Sequence, residues 1–266
     1  MFPPIMTRIT PVLPVIALLF ASTLWGVFWY PLRLLESSGL AGLWAALLIF
    51  LGTLPVAIPM AWRIRRYFFS HSYLLLGLGL AQGWCNVTFF LAVLEGNILR
   101  VILLFYLSPL WAVILSKLFL REHITLRSYW LLAVAMIGAL IMLWDPKIGW
   151  PWPEGRADWL AISSGFAFAL GNVLARKGAQ VSIRAKTVAS WGGAIVIALV
   201  WLAMTATPLP IVEHDVIIAT LALGLFGMVI MSLLVLYGVS HLPVHRSAVI
   251  LLFEIVVAAV SAQLLT

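Results

Sequence analysis

The chain has 266 residues, 64% of them hydrophobic and 9% charged, with a formal net charge of +7. Soluble domains carry about a quarter of their residues as charges, so this is an integral membrane protein with almost no soluble part. The positive charge lies in short loops, which excludes a nucleic-acid binder, and the single cysteine, Cys85, excludes an intrachain disulfide framework and a cysteine-rich metal site.

Apolar runs of about 20 residues, long enough to cross roughly 30 Å of hydrocarbon, recur along the whole length. In chain order they predict nine spans: Leu13–Leu34, Leu40–Trp62, Tyr73–Leu94, Ile98–Leu118, Leu126–Trp144, Trp159–Arg176, Thr187–Met204, Val216–Tyr237 and Val244–Leu265. The runs are about twice a barrel strand's length and lack in–out alternation, so helices are expected. Arg8 followed by an apolar run resembles a signal peptide. The run continues through Tyr30, however, and its pattern returns in the second half, which marks a retained first helix. The longest loop, Asp145 to Asp158, is rich in Pro, Gly and Trp and divides the chain into residues 1–148 and 149–266.

Basic residues orient such a bundle. With the N-terminus in the cytoplasm, twelve of the 16 basic residues fall inside, and Arg33, Arg100, Lys147 and Arg156 fall outside. Glu36, Glu95, Asp145, Glu154, Asp158, Glu213 and Asp215 also fall outside. Many tryptophans, Trp62 and Trp144 among them, sit at the expected interfaces, where membrane anchoring accounts for them.

Shifting the chain by 145 or 146 residues brings Gly26 over Gly171, Asn86 over Ser232 and Arg100 over Arg246. The first unit holds five spans, so the second starts on the opposite side, as in transporters built from inverted repeats. The second unit stops after its fourth span, and a tenth helix is expected beyond Thr266. The fold class expected is therefore all-α and integral to the membrane, a ten-helix bundle of two inverted five-helix repeats with nine helices in this chain.

"LWG" at Leu24–Gly26, "LSPLWAV" at Leu107–Val113 and the Gly-rich "LFLREHITLRSYWLLAVAMIGALIML" at Leu118–Leu143, with Glu122 at the interface, resemble the drug/metabolite transporter superfamily in its EamA-type form. "FEIV" at Phe253–Val256 resembles the family's ninth-helix pattern at Glu254, with Ile255 where the family has proline, and the pseudo-symmetric position carries Pro109. The resemblance implies an exporter of small metabolites by alternating access. Within the superfamily the chain is similar to a YddG-like exporter of aromatic or hydrophobic amino acids.

Polar and aromatic residues at mid-span depth are the candidate substrate-binding set: Trp25, Gln82, Asn86, Tyr106, Asn172, Ser232 and Glu254. Gln82 and Asn86 are four apart and share a helix face. Gly79 and Gly83 on the same helix form a G-x-x-x-G that permits close packing. Each amide or hydroxyl has two readings, an interhelical hydrogen bond or a cavity wall, and Trp29, Trp84 and Trp111 are further aromatic candidates. Glu254 stands alone in an apolar run, where an ionised carboxylate costs roughly 2.5–3.5 kcal/mol on insertion scales. With no titratable partner at its depth, it reads as a largely neutral acid in a facilitative transporter; proton-coupled antiport is the alternative. The five histidines fall in expected loops, and neither H-E-x-x-H nor a Gly-rich phosphate loop occurs, so no enzyme is expected. A membrane scaffold or lipid-binding protein is the reading from another class. No cofactor is implied. The partners expected are a small-molecule substrate and membrane lipid, no nucleic acid, and a monomer is favoured, in a bacterial inner membrane.

Overall fold

The computed structural model describes residues 12–40, 42–121, 126–143 and 153–265, and every element among them is a helix. In chain order these are α1 (Val12–Ser37), α2 (Gly42–Leu51), α3 (Leu54–Ser70), α4 (Ser72–Glu95), α5 (Ile98–Phe105), α6 (Ser108–Leu120), α7 (Leu126–Leu143), α8 (Arg156–Lys177) and α9 (Ile183–Thr205). They are followed by α10 (His214–Ala222), a π-helical turn (Leu223–Met228), α11 (Val229–His241), α12 (Val244–Leu251) and α13 (Phe253–Leu265). Seven stretches are long and apolar enough to cross a membrane: α1, α4, α5 with α6, α8, α9, α10 with α11, and α12 with α13. The pair α2 and α3, bent by 54°, makes an eighth. α7 occupies the place of the expected fifth span; Trp144 and Glu122 lie outside the described residues.

Four of the expected spans are not straight. The second bends at Gly52–Thr53, where Thr53 Oγ1 donates to the Phe50 carbonyl at 2.7 Å. The eighth carries the π-helical turn, a feature of inserted or displaced backbone bonding. The fourth and ninth break at Tyr106–Leu107 and at Leu252, positions that coincide under the repeat shift. Pro109 in the first turn of α6 accounts for the first of these breaks. The second forms without a proline, so the helix carrying Glu254 breaks where its sequence left a kink open.

The repeats interleave rather than stand side by side. α1 packs against α11, α12 and α13 of the second repeat, and α8 packs against α4, α5 and α6 of the first. α4 lies along α9, and in the matching relation α2 meets α10 and the π-helical turn. Contacts of α2 and α3 with α9 join counterpart spans of the two halves, and α6 meets α12 as α5 meets α13, the two sides of one relation between the fourth and ninth spans. This is the pairing expected of a two-fold relation between the halves.

Glycines set the closest crossings. A methyl group on Gly83 would meet the Gly193 backbone, and one on Gly193 would meet the backbone of Gly79, so the G-x-x-x-G of α4 receives α9 at backbone contact. In the matching crossing a Cβ on Gly224 would meet Ile49 O and lie 3.1 Å from Gly52 Cα. On Gly26 a Cβ would lie 2.7 Å from Val257 Cβ and 2.9 Å from Glu254 O, which accounts for the glycine of "LWG". Small residues let helices approach where lipid offers no competing hydrophobic force.

At one end of the bundle Arg100 Nε lies 3.0 Å from Asp158 Oδ2, an ion pair between α5 and α8 with Asp158 buried. Arg156 pairs with Glu95 at 3.5 Å across the same boundary. Arginines near the ends of α1 and α8 cap equivalent carbonyls: Arg33 Nη1 reaches Leu94 O at 3.5 Å, and Arg176 Nη1 reaches Ser240 O at 3.1 Å. Leu94 and Ser240 coincide under the repeat shift, and cations at helix C-termini are stabilised there.

The glycine crossing makes a sharp comparison. A side chain at Gly193 meets backbone, whereas one at neighbouring Gly192 meets nothing within 4 Å. Gly193→Leu is expected to lower the melting temperature in detergent strongly, and Gly192→Leu to leave it nearly unchanged.

Candidate functional site

A cavity of about 60 Å³ lies inside the bundle, lined by Trp25 of α1, Gln82, Cys85, Asn86 and Phe89 of α4, Phe105 of α5 and Phe168 of α8. Ser190 and Trp191 of α9, Ser232, Val235 and Leu236 of α11, Leu251 of α12 and Glu254 of α13 complete the wall. Both repeats contribute. The α4 residues recur at helical spacing, so one face of that helix forms a continuous stripe, presented by the glycine crossing on its flank.

The aromatic wall is a connected set. Trp25 stands edge-on to Phe89 at 6.3 Å, Phe89 meets Phe105 at 4.9 Å, and Phe105 meets Phe168 at 5.3 Å. Such tilted contacts favour the ring quadrupoles and fix the rings in place. Polar groups are partly committed to the protein. Asn86 Nδ2 donates to Gln82 O at 2.6 Å, Trp191 Nε1 donates to Ser232 Oγ at 3.0 Å, and Ser190 Oγ donates to Lys186 O at 2.9 Å. Ser164 Oγ donates to Cys85 O at 2.8 Å and lies 3.6 Å from its Sγ.

The two helix breaks meet here. Tyr106, at the end of α5, donates its hydroxyl to the Leu251 carbonyl at 2.9 Å, next to the break between α12 and α13. A carbonyl beside a helix break lacks a regular helical donor, and this tyrosine supplies one from the other repeat. The Glu254 carboxyl is the neighbour of the same hydroxyl and is 7% exposed.

Five of the seven sequence-derived candidates, Trp25, Gln82, Asn86, Ser232 and Glu254, line this one cavity. Tyr106 stands behind the wall against Glu254. Asn172 is buried in α8 away from the lining, with Oδ1 unpartnered. Trp29 is committed to packing, its Nε1 donating to Ser261 Oγ at 3.0 Å. Trp84 and Trp111 belong elsewhere, with Trp159 and Phe166 around an open lateral groove of about 520 Å³. Lys186, which the sequence puts at a span end, is 1% exposed in the first turn of α9, with Nζ donating to Ser240 Oγ at 3.0 Å. Of the histidines, His214, His241 and His245 lie in terminal turns of helices rather than in loops. Cys85 and Phe89 were not singled out from the sequence, although the stripe 82, 85, 86, 89 carries them; Ser190 and Trp191 gave no such signal.

The EamA-like transporter family model matches residues 12–144 and matches again over residues 155–266. The chain belongs to the EamA-like transporter family. The two matches make it a two-repeat member, in accord with the interleaved halves. One crystal structure of a protein superposes with a TM-score of 0.67 over 95% of this chain and 88% of that one, at 17% identity, which shows the fold. No curated protein matches the sequence. In this EamA-like chain the cavity thus lies between the two family units, joined at mid-bundle by Tyr106.

Tyr106→Phe removes the donor to Leu251 O while keeping the ring. A loss of about 1 kcal/mol is expected, read as a lower melting temperature in detergent, with Trp29→Phe at another inter-repeat bond giving a comparable loss.

Proposed function

We infer that this multi-pass membrane protein transports small aromatic metabolites, amino acids and their derivatives among them, through the cavity between its repeats. The observation that carries the reading is the convergence of both repeats on one aromatic cavity with a few oriented polar groups. Such a cavity suits a planar amphipathic ligand: rings for stacking, amides and hydroxyls for orientation. A cavity of about 150 Å³ is the size that takes up benzene, and this one is about 60 Å³. The wall therefore has to part to admit such a ligand, as alternating access between interleaved repeats provides.

The direction proposed is export across a bacterial inner membrane. The basic bias puts the N-terminus in the cytoplasm and the Arg100–Asp158 ion pair on the outside. The protein acts as a monomer in this reading, without a cofactor. Transport is facilitative, with Glu254 neutral while the cavity is empty.

Purified protein in liposomes, screened against radiolabelled aromatic amino acids, their derivatives and sugars, tests this reading. Saturable flux of at least one aromatic compound is expected, and flux of none would end it. Trp25→Ala and Asn86→Ala are expected to lower initial rates at least ~10-fold, whereas Trp62→Ala, at a side chain 73% exposed on the outer surface, leaves them within about two-fold.

A further inference from the structure

We propose that the central cavity selects arylalkylamines over the corresponding amino acids, with Glu254 as the counter-charge of the bound ammonium group. This rests on the reading of the cavity as the transport site and narrows its substrate class.

The argument is one of charge inventory. Among the described residues Glu254 is the one carboxyl on the wall, and no lysine, arginine or histidine of theirs lines it. The buried cation Lys186 is not among the lining residues and donates to the Oγ of Ser240, whose carbonyl Arg176 binds. The titratable groups that face Glu254 are the Tyr106 hydroxyl and the Cys85 thiol, both able to remain neutral. The other polar lining groups are amides and hydroxyls.

An amine that enters uncharged takes the carboxyl proton. The O–H bond of Glu254 breaks, an N–H bond forms, and an ammonium rests against a carboxylate with the net charge of the site unchanged. Trp25, Phe89 and Trp191 line the same space, and an aromatic ring attracts a cation placed over its face. An amino acid brings a carboxylate as well. That second anion meets a wall with no cation, and an unpaired buried charge is strongly disfavoured. The Gln82 amide, which makes no hydrogen bond to the described residues, is a donor and acceptor that serves neutral and charged ligands alike.

Cys85 is the only thiol in the chain and lines the cavity, 5% exposed, so N-ethylmaleimide reaches it only when the wall parts, and its labelling in the ligand-free protein is the baseline of the test. The protein in lipid nanodiscs is treated with N-ethylmaleimide in the presence of 2-phenylethylamine, phenylalanine, 3-phenylpropionate or 2-phenylethanol, and protection of Cys85 is read by mass spectrometry. The amine is expected to protect at a concentration at least ~30-fold lower than phenylalanine, about 2 kcal/mol at 1.4 kcal/mol per tenfold, with 3-phenylpropionate weakest. Glu254→Gln, which has no proton to give, is expected to weaken protection by the amine at least ~10-fold and leave that by 2-phenylethanol unchanged.

Phenylalanine protecting as well as the amine would overturn the charge selection and leave the transport reading standing. Equal weakening of amine and alcohol by Glu254→Gln would overturn the role of Glu254. Protection by none of the four, with flux still measured in liposomes, would overturn the cavity as the amine site; loss of flux as well would remove both readings. The four-probe comparison uses the native protein, so it decides the matter even where the Glu254 variant does not fold.

Discussion

Backbone contact between α4 and α9, at Gly79, Gly83 and Gly193, is the constraint on which the arrangement depends. Hydrocarbon gives no hydrophobic reward for bringing two apolar helices together, so dispersion at short range and the removal of intervening side chains have to do it. With α9 seated in that groove, Trp191 on one side reaches Ser232, and the Gln82–Phe89 face of α4 turns toward the centre. The matching contact of Gly52 with Gly224 seats α2 against the π-helical turn. The cavity is the space left where these two crossings stop helices from closing at the centre.

Polar groups are distributed according to what the membrane allows. Inside hydrocarbon each backbone donor and acceptor needs a protein partner, and the broken spans create groups without one. The Tyr106–Leu251 bond meets that need across the repeat boundary, close to the acid. Elsewhere buried hydroxyls turn back to their own helix: Ser22 bonds Leu18 O, Thr88 bonds Trp84 O and Thr220 bonds Val216 O. The Gln82 amide and the Glu254 carboxyl do not turn back in this way; both lie on the cavity wall, the carboxyl beside the Tyr106 hydroxyl.

Much of this was legible in the sequence, and the reasons are physical. Span length and the absence of charge decide the helices, because the bilayer fixes both. The repeat register was visible through Gly26 with Gly171 and Asn86 with Ser232, since close crossings and cavity walls tolerate few residue types. Periodicity brought Gln82 and Asn86 to one face. Asn172 failed as a wall residue because mid-span depth specifies height in the bilayer but not the angle around α8. Trp84 and Trp111 failed for the same reason: a tryptophan fits the outer groove as well as the centre. No proline or glycine stands around Leu252, so the break there is marked only by the repeat shift, which places it over the one before Pro109; α12 packs against α1 and α6. Lys186 was placed by its distance from the apolar run, and only the fold shows that Ser240 covers it.

The interleaving of the repeats also bears on how the protein is made. Gly26 of α1 receives the Ser261 hydroxyl on its carbonyl, a partner that is synthesised 235 residues later. Until then the face of α1 around Gly26 lacks the α13 residues that pack on it. Long-range closures of this kind are slow relative to local helix formation, and an incomplete bundle exposes the surfaces that later helices fill. The first repeat alone is therefore not a finished bundle: the face of α1 that α11, α12 and α13 cover in the fold stays open until they are made.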